Sequence, residues 1–320
     1  MPSSATVSMP SPEPSQTRGS GLSRRRSRRG ERFIVGVLGG FAFISVLTTV
    51  AIVVALFRPA IEFFSDVSFG DFLTGTKWSP LFQPPRFGVL PILVGTFATT
   101  ACALVVCIPL GLGCAVYLSE YARPRVRKTV KPVLEILAGI PTVVYGYFAV
   151  KFVSPYVQDL WPFGAKPGAF NALSAGLVMG IMILPTVVSL SEDALTAVPQ
   201  ALRQGAYALG STGYEVAAKV TIPAALSGIA SSFVLALSRA VGETMIVLIA
   251  AGGTPNLAFN PGEAMQTMTA FIASAGTGDL PQGSTGYKTI FAVGALLFVI
   301  TFALNMVSTK IVRRFREVYE

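Results

Sequence analysis

An all-α polytopic membrane protein with six transmembrane helices is the fold class this sequence predicts, and three observations predict it. Of its 320 residues, 52% are hydrophobic and only 13% charged, about half the roughly 25% charged share of a soluble domain. The apolar residues gather into six long runs, each able to supply the roughly 20 residues that cross a bilayer core. Lys and Arg number 25 against 16 Asp and Glu, a formal charge of +9, and nearly all of these cations lie between the runs rather than inside them.

Taken in order, residues 1–32 are Pro/Ser-rich and then arginine-rich (Arg18, Arg24, Arg25, Arg26, Arg28, Arg29, Arg32). With too few apolar residues to build a core, they predict a disordered basic cytoplasmic tail. Residues 33–320 are expected to form one transmembrane domain. Phe33–Phe57 is uncharged over 25 residues. It is longer than the roughly 7–15 residue apolar core of a signal peptide, so it reads as a retained first span. The next runs are Val89–Leu118, Leu134–Tyr156, Asn171–Leu190, Pro223–Ala251 and Tyr287–Ser308. Pro109, Pro141 and Pro185 fall inside the second, third and fourth, where neighbouring helices or a wet cavity must satisfy the freed backbone. Such breaks suit a moving transporter, and they equally suit ordinary helix bending.

Orientation follows from the distribution of cations. The tail, the loop around Arg123–Lys131, the loop after the fourth span and the C-terminus hold 18 Lys and Arg, and the opposite side holds 5. Positive residues stay inside, so both termini are expected in the cytoplasm. The basic excess then faces lipid headgroups, not nucleic acid. Trp78 and Trp161 fall in outer loops, as expected of interfacial aromatics.

Composition also excludes chemistry. With His 0, no imidazole triad or HExxH zinc site exists, and no catalytic or metal residues are expected. Cys102, Cys107 and Cys114 share one apolar run and form neither a disulfide framework nor a metal pair; they are expected to pack as small apolar residues. No lysine follows a glycine, so the Walker A loop is absent.

The connection at 191–222 is too long for a simple link. Gln204-Gly205-Ala206-Tyr207-Ala208-Leu209-Gly210 is followed, nine residues on, by Val220-Thr221-Ile222-Pro223. An amphipathic helix burying Ala206 and Leu209 is expected first. Gly210 then allows a tight turn, because only glycine enters positive φ without cost. Glu215 and Lys219 are an i,i+4 pair in the favourable order, and Pro223 sits where a helix can start. This spacing resembles the EAA-type loop (EAAxxxG-x9-IxLP) of membrane subunits of ATP-driven, binding-protein-dependent importers. Gln204, Gly205 and Ala206 occupy the EAA positions, Gly210 the glycine, and Val220, Ile222 and Pro223 the closing I, L and P. The acidic residue of the family pattern is replaced by Gln204, and one alanine by Gly205. The resemblance implies a type I ABC importer permease fold (MetI-like) and a coupling helix that docks on a separate ATPase.

The fifth run contains Ser238-Arg239-Ala240-Val241-Gly242-Glu243-Thr244. An arginine at the bilayer centre costs about 2.5–3.5 kcal/mol on insertion scales, so Arg239 must face a partner or a wet path. If the helix is continuous, Glu243 lies one turn on, on the same face. The pair then either neutralises itself and pins the bundle, or Arg239 offers an always-charged planar fork to an anion while Glu243 orients it. The stretch resembles the RAxGET signature of phosphate importer permeases. Gly139–Gly146 (GIPTVVYG), Ile183-Leu184-Pro185-Thr186, Ser191–Leu195 and the Gly88…Pro91-Ile92-Leu93…Gly95-Thr96 pattern resemble the same family. Met245 and Gln266-Thr267-Met268-Thr269 look more like the PstC type than its PstA partner.

That resemblance implies a substrate path through Arg239, Glu243 and Thr244. It implies a homologous PstA-type permease, a PstB-type ATPase dimer and a PstS-type extracytoplasmic phosphate-binding protein docking on the outer loops around 58–88, 156–170 and 252–286. No cofactor is expected on this chain; ATP and Mg belong to the ATPase. A permease for molybdate or sulfate, an ion-driven secondary transporter and a lipid-bound scaffold are the alternatives. The secondary transporter would leave the EAA-type loop unexplained, and the scaffold would leave the intramembrane charges so.

Overall fold

The structure, a computed structural model, describes residues 28–162, 166–257 and 260–315, with side chains from Arg32 to Lys310. Most of the tail expected to be disordered therefore lies outside the described residues; a helix begins at Arg28. The chain divides into two units, 1–52 and 53–320.

In the first unit, helix α1 (Arg28–Asp66) begins, and every side chain from Arg32 to Ile52 is exposed. Most are apolar, and exposure of this kind fits lipid, which has no water to exclude them.

In the second unit, α1 ends and α2 (Phe69–Thr74) leads to a small antiparallel hairpin. Its strands are β1 (Trp78–Ser79) and β2 (Arg86–Phe87), with Trp78 opposite Phe87. Phe63, Phe72, Trp78 and Phe271 pack into an aromatic core, Trp78 edge-on to Phe271 at 4.8 Å between ring centres. Such pairs gain beyond area burial. Trp78 is thus a core residue, not the interfacial anchor the sequence suggested.

The second span is α3 (Leu90–Val116), ending in a π-helical turn at Tyr117–Tyr121. It packs along α7 (Ala172–Thr196), the fourth span. Between them lie α4 (Pro124–Gly139), α5 (Thr142–Phe148), a π turn at Ala149–Val153 and α6 (Ser154–Asp159). A Cβ on Gly176 would lie 2.4 Å from Cys102 Cβ, and one on Gly180 2.8 Å from the Ala103 carbonyl oxygen. This small-xxx-small pair lets the two backbones meet where apolar burial gives no drive inside lipid. Cys107 is buried in the same core and all three cysteines are free thiols. Pro109 and Pro185 sit inside uninterrupted helices.

The third run is not one helix. Ile140 and Pro141 are extended, and the chain turns by 89° between α4 and the 142–159 segment. Pro141 disfavours helical φ/ψ in the residue before it, so the span starts at Thr142 and α4 lies across it. The fifth run differs too. After α8 (Gln200–Ala208), α9 (Gly213–Val216), a π turn at Ala217–Thr221 and α10 (Ile222–Ala224), the chain bends by 69° into α11 (Leu226–Val241). A second break at Gly242–Thr244 precedes α12 (Met245–Ala250). The region expected to be an outer loop holds α13 (Met268–Gly276), largely buried, before α14 (Thr285–Phe315). A nine-residue helix is invisible to a span-length hydropathy reading. Among the described residues four helices are long and apolar enough to cross a bilayer, and counting each bent pair as one span gives up to six.

Candidate functional site

Segments that resembled one family at separate places in the sequence converge around the Gly242–Thr244 break. Arg239 lies in the last turn of α11, 13 residues past its start, or about 20 Å along a helix at ~1.5 Å per residue. The guanidinium is exposed, and Nη1 donates to Thr186 Oγ1 on α7 at 3.3 Å. An arginine carries five N–H donors, so this one bond leaves most of the fork able to receive an anion. Neighbouring Ser238 donates to Asn305 Oδ1 on α14 at 3.0 Å.

Glu243 does not sit one helical turn from Arg239, because the helix has already ended. Its Oε1 accepts the backbone N–H groups of Met245 at 3.0 Å and Ile246 at 3.2 Å, the first two residues of α12. Both charges therefore suit their local helix ends: a cation at the C-terminus of α11 and a carboxylate at the N-terminus of α12. Among the described residues no ion pair joins them. The expectation that Glu243 orients the guanidinium is corrected by the break. Thr244 donates its hydroxyl to the Gly242 carbonyl at 3.3 Å.

The surrounding shell fixes this break. Thr269 donates to the Glu243 carbonyl at 2.7 Å, and Thr96 receives the Met268 N–H at 2.9 Å. A Cβ on Gly95 would lie 2.3 Å from the Gln266 carbonyl oxygen. Gly146 faces Ile249 and the Met245 carbonyl on α12. Buried Tyr145 donates to the Leu137 carbonyl at 2.7 Å, tying α5 to α4 across the Pro141 turn.

At the other end of the span, α7 continues to Thr196, so the first six residues of the 191–222 connection are still helix. On α8, Gln204 and Gly205 are exposed and Ala206 half-buried. Gly210 adopts φ +82, its N–H bonds the Tyr207 carbonyl, and the Ser211 N–H reaches back to Ala206. These two bonds are the Schellman closure that a left-handed glycine permits, as the sequence predicts. The expected burial of Leu209 does not occur: Leu209 is 89% exposed, and Leu202, Tyr207 and Tyr214 are exposed beside it. Among the described residues no apolar surface covers Leu209. Thr212 caps α9 in a reciprocal box with Glu215, which also meets Lys219 at 3.2 Å. The Thr212 backbone N–H, then Lys219, hold the Glu215 carboxyl down at about 2. Val220 lies in the π turn, and Ile222 and Pro223 open α10 before the bend.

Sequence reasoning missed two charge clusters on this side. Glu192, fully buried on α7, faces Arg127 and Lys131 of α4. Arg203 of α8 meets Glu120 at 3.2 Å and donates to the Leu195 carbonyl at 2.6 Å. The i,i+4 spacing of Arg127 and Lys131 was the available signal, but cations near a loop read equally as lipid-facing. Among the described residues no cluster of His, Cys, Asp and Glu could hold a metal.

Residues 107–317 match the family described as binding-protein-dependent transport system inner membrane component. A probable ABC transporter permease, YqgH of Bacillus subtilis, is 35% identical over 264 residues, 82% of this chain and 84% of that protein. Phosphate transport system permease protein PstC of Mesorhizobium japonicum is 32% identical over 282 residues, 82% of this chain and 84% of that one. PstC 1 of Mycobacterium tuberculosis is 32% identical over 314 residues, 87% and 91%. Among solved structures, a bacterial alginate ABC transporter aligns over 92% of this chain and 98% of that one, with TM-score 0.62 at 16% identity. The MetNI methionine ABC transporter aligns over 72% and 95%, TM-score 0.52 at 20% identity; both likenesses speak to the fold.

The chain belongs to the inner-membrane component family of binding-protein-dependent transport systems. It is a multi-pass permease subunit of an ABC importer, not an ATPase. The family's description makes such a subunit the inner-membrane part of a system that depends on a separate binding protein.

Proposed function

We propose that this permease carries inorganic phosphate, as the PstC-type half of an importer with a PstA-type permease, a PstB-type ATPase dimer and a PstS-type binding protein. The observation that carries the reading is the exposed Arg239 guanidinium inside a span, held on one side by Thr186. The 32% identity to PstC proteins supports phosphate as the anion. An arginine fork matches the oxygens of a tetrahedral oxyanion. One such group binds weakly enough for release, which conduction requires.

Transport then proceeds by alternating access. The binding protein docks on the outer side and releases phosphate toward Arg239, with Thr244 and the Glu243 break beside it. ATP closes the ATPase dimer, which grips the exposed strip of Leu202, Tyr207, Leu209 and Tyr214. The turn at Gly210 and the bends at Ala225 and Gly242–Thr244 let the fifth span reorient. The 18 to 5 excess of cations supports a cytoplasmic position for both termini.

The test is labelled-phosphate uptake into proteoliposomes holding the four-component complex, with molybdate and sulfate as competitors. ATP-dependent uptake that excess phosphate suppresses and the competitors do not is the expected result. ATP hydrolysis without phosphate uptake in a verified complex contradicts the substrate assignment.

A further inference from the structure

The least explained group in the chain is Glu192. Its side chain is fully buried, in the last turns of α7, yet it belongs neither to the Arg239 site nor to the docking strip. A buried carboxylate persists only when paired and hydrogen-bonded. Its partners, Arg127 and Lys131, are four residues apart on the inward face of α4, the helix that meets the third span at 89°. Arg127 also donates to Thr196 Oγ1 at 2.8 Å, and Lys131 lies 3.6 Å from Asp193.

Helix α4 has no fully buried residue. These ion pairs are among its ties to α7. Each end of α4 is tied. Toward its start, Glu192 holds it to the same turns of α7 whose Leu195 carbonyl takes Arg203 of α8. At its far end, the Leu137 carbonyl takes the hydroxyl of Tyr145, in the third span. The connection from α8 to the third span therefore runs through three polar joints, with α4 between the last two.

We infer that Glu192 is a positioning residue for energy coupling: by clamping Arg127 and Lys131 it makes α4 a rod that carries movement of the 191–222 loop into the third span. The inference rests on the importer reading of the chain, but not on phosphate. A charge clamp differs from apolar packing in one useful respect. Its partners can separate into water and re-form, and replacing such a cluster by apolar residues can preserve stability while removing that option.

The experiment uses the full complex in a background lacking the three native cysteines. Spin labels are placed at exposed Val105 on α3 and exposed Tyr147 on α5, and their separation is measured with and without ATP and vanadate. In the unmutated clamp, ATP is expected to change the Val105–Tyr147 distance. In Glu192→Gln the change should be lost although the complex still hydrolyses ATP, and Glu192→Asp should restore part of it. If Glu192→Gln fails to assemble, the triple variant Glu192→Met, Arg127→Leu, Lys131→Met takes its place with the same expectation. An ATP-driven change that survives in the hydrolysing variant overturns the inference, as does its absence with the clamp intact. No arm contains phosphate, so failure here is separate from failure of the substrate assignment.

Discussion

Arg239 and Glu243 are charges placed where a membrane should exclude them, and the structure gives them different tasks. Glu243 caps α12 through the Met245 and Ile246 N–H groups. Glu243→Gln retains the accepting oxygen, so it should leave thermal stability and uptake near wild type. Glu243→Ala loses the cap and should cost about 1 kcal/mol. A scanning unfolding experiment in detergent with parallel uptake separates these; equal damage from both variants would mean that the charge itself is needed. Glu215 offers a pH test. Its carboxyl is held down at about 2 by the Thr212 N–H and Lys219, below the ordinary value near 4.3. A depressed carboxyl stabilises the fold above the unfolded value and loses that contribution as pH falls toward 2. Amide protection of residues 212–216, corrected for intrinsic exchange, should hold from pH 8 to 5 and fall below about 4. Glu215→Gln should remove that dependence, and a loss already at pH 6 would contradict the assignment.

Elements explain why part of the site was legible and part was not. The α3 and α7 spans were readable because uncharged runs of bilayer length say so directly. The bends at Ile140–Pro141 and Ala225 and the break at Gly242–Thr244 were not, since hydropathy is the same on both sides of a turn. For that reason Arg239 and Glu243 looked like one helical face. Gly210 was readable because a left-handed turn leaves a residue signature. Its conformation, φ +82, would cost an alanine about 1–2 kcal/mol. Gly210→Ala should therefore lower the thermal stability of the loop, seen as faster amide exchange in 200–216, with the transmembrane core unchanged. The period of Leu209 fits an inward face, and only the structure reveals that none of the described residues covers it. Leu209→Asp should weaken ATPase co-purification roughly tenfold, about 1.4 kcal/mol, while the permease still folds. Undiminished assembly would move the docking surface elsewhere.

At the scale of the whole molecule, the chain is one subunit of a larger machine, the inner-membrane component of a binding-protein-dependent transport system. The contribution proposed for it is a path past Arg239 and a lever that begins at the exposed apolar strip. The family and the fold follow from residues 107–317 and from the alginate transporter likeness; phosphate as the cargo is the proposal, and it rests on Arg239 and its neighbours. The most direct test of that claim compares wild type with Arg239→Gln in proteoliposomes, measuring labelled-phosphate uptake and ATP hydrolysis in the same vesicles. The account predicts that Arg239→Gln assembles and hydrolyses ATP but loses at least roughly nine-tenths of its uptake, about 1.4 kcal/mol or more of transition-state stabilisation. Uptake equal to wild type would contradict it and return Arg239 to a purely structural place beside Thr186.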